Sequence, residues 1–164
     1  QLEAAGHVVA TVSLTPPYAH IGKLVPLVAA RIEETCRATG AERVVLVAHS
    51  MGGLVCRSYL SRHGATRVER LVTLASPHGG TELARIGIGA NAREMEPGSR
   101  FLADLTGEGL CVPATSLRTA HDNYVMPQDN QRLPGAGDIE VAGIGHLAML
   151  YADRTGSALL AALR

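Results

Sequence analysis

The chain has 164 residues, with 15 basic and 15 acidic side chains, 46% hydrophobic residues and 18% charged ones. Those proportions fit one folded globular domain and exclude an intrinsically disordered or collagen-like chain. A formal net charge of zero, with no Lys/Arg run to displace counterions from a phosphate backbone, argues against nucleic acid as a partner.

Taken in chain order, short β-branched runs alternate with helical patterns, which predicts an α/β fold of parallel strands joined by crossover helices. Residues 7–14 (HVVATVSL) read as a strand ended by Pro16 and Pro17. Residues 21–39 read as a helix stopped by Gly40 in a left-handed cap. Residues 43–48 (RVVLVA) are apolar almost throughout, as expected of a central parallel strand buried on both faces. After a sharp turn at His49-Ser50, residues 51–63 form a helix closed by Gly64, and residues 68–75 a further strand. Residues 76–113 are rich in Gly and Pro, suit a lid or substrate loop, and contain a short helix at 99–105. Strands follow at 114–119 and 139–142, and a last helix starts near Leu147, with Gly156 dividing it. No linker separates two domains, so residues 1–164 are expected to be one.

No apolar stretch reaches the roughly 18 residues of a membrane span, because Arg, Glu, Pro or Gly interrupts each one. The start QLEAAGHVVA lacks a basic stretch leading into an apolar segment and a small-residue cleavage site, so it does not read as a signal peptide. Cys36, Cys56 and Cys111 are too few and scattered for a disulfide framework or a paired zinc pattern. Cys36 and Cys56 read as small apolar residues on helix faces.

The chemistry concentrates at Val44-Val45-Leu46-Val47-Ala48-His49-Ser50-Met51-Gly52-Gly53-Leu54. A serine on a tight turn between a buried strand and a helix must adopt strained dihedrals, and the residues two before and two after it must be small. Ala48 and Gly52 meet that demand. The turn lifts the hydroxyl toward solvent near the positive end of the next helix, which suits an oxyanion beside it. Small residues around a serine also occur at ordinary helix N-caps, where Ser50 would only accept a backbone N–H. What distinguishes the readings is that a nucleophile needs a base, and the base an orienting acid. Asp122 and His146 each lie just past a predicted strand, at the edge where active-site groups of open parallel sheets collect. Ser50, Asp122 and His146 follow one another in α/β-hydrolase order.

On these segments the chain resembles the lipase/esterase group of the α/β-hydrolase superfamily, and most of all its small secreted bacterial triacylglycerol lipases. Residues 44–54 resemble the nucleophile elbow, with Ala48 where glycine is usual. RLVTLASPHGGT at 70–81 resembles the strand and loop that follow, and MEPGSRFL at 95–102 the segment before a late helix. DNYVMP at 122–127 and GIGHL at 143–147 resemble the acid and base loops. The resemblance implies a secreted hydrolase of lipid or other acyl esters that works through an acyl-enzyme without a cofactor. Ser50 would be the nucleophile, His146 the base, Asp122 the acid, and the Met51 N–H one oxyanion donor. It also implies a second donor on a loop upstream of Gln1 and a strand between residues 7–14 and 43–48. On that expectation these residues belong to a longer polypeptide, because a missing central strand leaves two rows of backbone groups unpaired.

The other histidines are assigned lesser roles. His49, beside Ser50 on the turn, points away from the hydroxyl and packs or orients a loop. His78 lines or supports the cleft, His121 faces away, and His63 suits the last turn of its helix. Asp104, Asp129, Asp138 and Asp153 match no calcium or zinc spacing and are expected to be surface carboxylates. No metal site is expected, and Gly87-Ile88-Gly89 precedes no phosphate-binding helix. Two competing readings are a hydrolase fold that serves only as a binding or structural module, and an acyltransferase with a drier cleft.

Overall fold

The structure, a computed structural model, describes all 164 residues, Gln1–Arg164. Helix α1 (Ile21–Thr39) buries Ile21, Leu24, Val25, Val28, Ile32 and Cys36, a stripe at three- and four-residue spacing. Pro26 has no N–H to give the Gly22 carbonyl, and Arg62 donates to that oxygen instead at 2.9 Å. Gly40, at φ 73°, ends the helix as expected, its N–H returning to the Cys36 carbonyl. Strand β1 (Val44–His49) then leads into α2 (Met51–His63), β2 (Val68–Leu74), α3 (Ala90–Glu94), α4 (Arg100–Gly107), β3 (Ala114–Arg118), β4 (Gly137–Glu140) and α5 (Asp153–Ala162).

The four strands form one parallel sheet in the order β1-β2-β3-β4. Its two faces carry separate cores. Against one pack α1, α2 and α4, with Leu24, Val28, Leu54, Val55, Val68, Leu71 and Leu102 buried together. On the other face α5 brings Leu159 and Ala162 onto Val72, Leu74 and Leu117. No helix is long and apolar enough to cross a membrane.

Several expectations are corrected. Residues 7–14 form no strand: they belong to no ladder, and all but Leu14 are exposed. An extended run becomes a strand only when a neighbour takes its backbone hydrogen bonds, and nothing pairs with this one. For the same reason β1 is not a central strand buried on both faces. It is the edge of the sheet, and α5 reaches β2 and β3 without covering it, so Val45 and Val47 remain 37% and 39% exposed. A groove of about 450 Å³ runs there, lined by Val9 and Thr11 from the N-terminal segment and by Val47, Leu74, Met149 and Leu159.

Strand β4 sits two residues earlier than expected. The C-terminal helical pattern breaks at Tyr151-Ala152, between a 3-10 turn at Leu147–Leu150 and α5, and not at Gly156. Gly156 lies inside α5 because the Gln1 side chain occupies the space its Cβ would need. Residues 76–113 are more regular than their glycines suggest, holding a 3-10 turn at Glu82–Ile86 as well as α3 and α4.

Candidate active site

The site begins at the β1–α2 junction. Ser50 has φ 54° and ψ −131°, a left-handed conformation that a residue with a side chain adopts only when its surroundings enforce it. Those surroundings are visible: the Ser50 N–H donates to the Leu74 carbonyl at 2.9 Å, and the Ser50 carbonyl accepts from the Gly53 N–H at 3.0 Å. The only other such non-glycine residue, Ala75 at φ 49°, lies beside it at the end of β2. The hydroxyl makes no capping bond to α2, which sets aside the ordinary N-cap role. Met51, as the first residue of the helix, has an N–H without an intrahelical acceptor.

The small residues of the turn are not equally constrained. A Cβ at Gly52 would meet Ala48 Cβ at 3.7 Å, ordinary contact, so the pair around Ser50 is less tight than expected. Gly53 is the demanding position, since a Cβ there would collide with Ser76 Oγ and come within 3.1 Å of Thr73 Cγ2.

Across the C-terminal edge of the sheet the structure brings Asp122 and His146 together. His146 Nδ1 donates to Asp122 Oδ2 at 2.7 Å, and both side chains are buried. The other carboxylate oxygen, Oδ1, accepts the N–H groups of Tyr124 at 2.7 Å and Val125 at 2.8 Å. Burial pushes the Asp122 carboxyl up, but the bonds from His146, Val125 and Tyr124 outweigh it and hold the group below its ordinary value. With Nδ1 committed to the carboxylate, the lone pair of the neutral imidazole is on Nε2. The Tyr124 ring covers His146 with centroids 4.9 Å apart.

His49 closes the circle. Its Nε2–H donates to the backbone carbonyl of His146 at 3.0 Å, and the two rings lie 4.6 Å apart. Burial is the main cause that pulls His49 below the usual histidine range, opposed by its bond to that carbonyl. Ser50 thus stands one residue from a side chain that touches His146. Its hydroxyl does not itself hydrogen-bond to the ring here; such bonds commonly tighten only when substrate is bound.

His78, expected to line or support the cleft, does not reach the surface. It is buried between Thr73, whose Oγ1 is 2.9 Å from Nε2, and Arg57, whose Nη1 is 3.5 Å from Nδ1. A guanidinium only donates, so Nδ1 accepts and the ring is neutral. Burial, together with the Arg57 charge, pulls it down to about 3. His121 is exposed, and His63 stacks on Tyr59. Asp104, Asp129 and Asp138 face arginines, and Asp153 accepts from Gln1. Cys56 is buried and its thiol is pushed up to about 12 by desolvation, so it is no nucleophile at neutral pH.

Two supports of the site left no sequence signal. Gln131, fully buried, clamps Thr119 through both its N–H and its carbonyl, each at 2.9 Å. Thr119 Oγ1 in turn donates to the Ile144 carbonyl at 2.5 Å, fixing the loop that carries His146. Lone polar residues in turns carry no periodicity, and only the fold shows that they face inward.

Comparison with known proteins follows the same outline. Residues 25–101 match the family model for the alpha/beta hydrolase fold. Among solved structures, the mature form of the Bacillus licheniformis lipase BlEst2 superposes with a TM-score of 0.78 at 19% identity, over 90% of this chain and 76% of that one. Of the propeptide form of the same lipase, this chain spans 40%. An alpha/beta hydrolase from the sediment metagenome of the Mar Chica lagoon gives 0.62 at 19% identity, over 92% and 74% of the two chains. A 2-hydroxy-6-oxo-6-phenylhexa-2,4-dienoate hydrolase from a Rhodococcus strain gives 0.62 at 17%, over 88% and 72%. At these identities the likeness is one of fold.

Proposed function

We propose that the chain is a member of the α/β-hydrolase superfamily and a serine hydrolase of carboxylic esters, acting on lipid or other acyl esters through an acyl-enzyme. In this reading Ser50 Oγ attacks the ester carbonyl while His146 Nε2 accepts its proton. The Met51 N–H, at the positive end of α2, faces the oxyanion that forms. Collapse of the tetrahedral intermediate breaks the bond to the alcohol, which leaves with the proton from His146. Water then attacks the acyl-enzyme by the same steps in reverse roles, regenerating Ser50. Asp122 stays ionised throughout and holds the ring in the tautomer that leaves Nε2 free.

The observation that carries this reading is the Asp122–His146 pair, buried at 2.7 Å and set beside the strained Ser50 turn. Exposed Tyr124, Met126 and Leu147, on the loops that hold the acid and the base, favour an acyl over a charged substrate. So does the company of structures described as lipases. The open contact between Ser50 and His146 favours the competing reading, a hydrolase fold that serves only as a binding or structural module. Hydrolysis of a short-chain nitrophenyl ester separates the two. Measurable turnover that falls by at least about 10⁴-fold in Ser50→Ala and His146→Ala, with folding retained, is expected for the hydrolase. No turnover by the unaltered chain, or turnover that survives either substitution, speaks for the binding module.

A further inference from the structure

Residues 141–146 lie in no helix or strand, so the position of His146 depends on the bonds that tie this loop down. Arg154 Nη1 donates to the Ala142 carbonyl at 2.7 Å, and Thr119 Oγ1 to the Ile144 carbonyl. Asp122 takes the imidazole, and the Met149 N–H donates back to the Gly145 carbonyl at 3.2 Å. These ties run to α5, to the end of β3, to the acid loop and to the loop's own 3-10 turn. The tie that runs to the nucleophile strand is a single one, His49 Nε2–H to the His146 carbonyl. It starts one residue before Ser50 and ends on the backbone of the residue whose side chain must reach Ser50.

We propose that His49 is a positioning residue: by donating to the His146 carbonyl it sets the distance between the Ser50 hydroxyl and the His146 imidazole. This rests on the reading of Ser50 and His146 as nucleophile and base. The physical case is one of reach and chemistry. A carbonyl only accepts, so the proton of His49 is on Nε2. His49 is the last residue of β1, pinned to Leu74 of β2 in the sheet register, so its donor has a fixed origin. The hydroxyl and imidazole are not yet in hydrogen-bond contact, and this tie decides how far the backbone of His146 can swing away from β1. A misplacement of about 1 Å between reacting groups can cost roughly 10²-fold in rate.

The test uses three variants of the full chain. His49→Gln keeps an N–H donor at similar reach, His49→Leu keeps the volume and removes the donor, and His49→Ala removes both. Positioning predicts that His49→Leu and His49→Ala lose about 10- to 100-fold in kcat for a nitrophenyl ester, with KM and thermal midpoint little changed. His49→Gln should recover most of that loss. The inference is overturned if His49→Leu is as active as the unaltered chain. It is equally overturned if His49→Gln is as impaired as His49→Leu, or if KM and stability fall together with kcat, since each marks a packing role. Absence of turnover in the unaltered chain removes the hydrolase reading and this inference with it. Turnover by the unaltered chain that is indifferent to the donor removes this inference alone.

Discussion

At the C-terminal end of β1, Ser50, Asp122 and His146 are each held from at least two directions. Ser50 bonds through its N–H and its carbonyl, Asp122 through both oxygens, and His146 through its ring and its backbone. Along the outer flank of the same strand, residues 8–14 lie in no helix or strand and make no backbone–backbone hydrogen bond, although the run HVVATVSL at 7–14 is as rich in strand-formers as VVLVAH. The difference is one of partners. β1 acquires its conformation from β2 on one side and from α1 and α2 below, and the N-terminal run has neither. Strand propensity describes fitness for a pleated, half-buried surface, and where that surface is missing it fixes nothing.

Substitutions can break this contrast or sharpen it. Leu71, fully buried in β2, should lose about 2–5 kcal/mol of stability on truncation to alanine. Val8, 78% exposed, should change stability by less than about 0.5 kcal/mol. Denaturant midpoints for the two variants check this, and comparable losses would show that the N-terminal run is part of the cooperative core.

A smaller contrast lies inside the site. Gly53→Ala, which pushes Ser76 Oγ and Thr73 Cγ2, should cost about 1–3 kcal/mol by overpacking. Gly52→Ala meets only ordinary contacts and gains helix propensity, so its stability should stay level or rise by up to about 1 kcal/mol.

The last of the expected effects is a slope with pH. His78 titrates at about 3 in the folded chain and near 6.5 when unfolded. The unfolded state therefore takes up a proton first as pH falls. Stability intact above about 6.5 should decline from there toward about 3, by no more than about 1.4 kcal/mol for each pH unit. Urea titrations of the unaltered chain and of His78→Gln across that window should show a shallower slope in the variant. Asp122, held below its ordinary value, adds to the loss at the acid end of the range.

Much of this arrangement was legible in the residues. The helix at Ile21–Thr39 and its Gly40 cap, the strand-turn-helix around Ser50, and the order of Ser50, Asp122 and His146 rest on local patterns: a stripe, a glycine, a strained turn. What escaped was set by neighbours distant in sequence. The exposure of Val45 and Val47 depends on how far α5 reaches, and the room beside Gly156 within α5 on where Gln1 packs. The buried contacts of His78 depend on Arg57, 21 residues away, and the tie from His49 on a carbonyl 97 residues away. A local pattern can show that a histidine stands beside a serine on a strained turn, but not which carbonyl it will meet.

The most direct measurement is covalent: incubation with a fluorophosphonate, followed by peptide mapping, in the unaltered chain and in His146→Ala. If the turn, the imidazole and the carboxylate act together, a single adduct forms on Ser50, and its rate collapses when the ring is removed. An unlabelled Ser50, or labelling as fast without His146 as with it, would mean that the hydroxyl is not activated and that these three residues do not work as one.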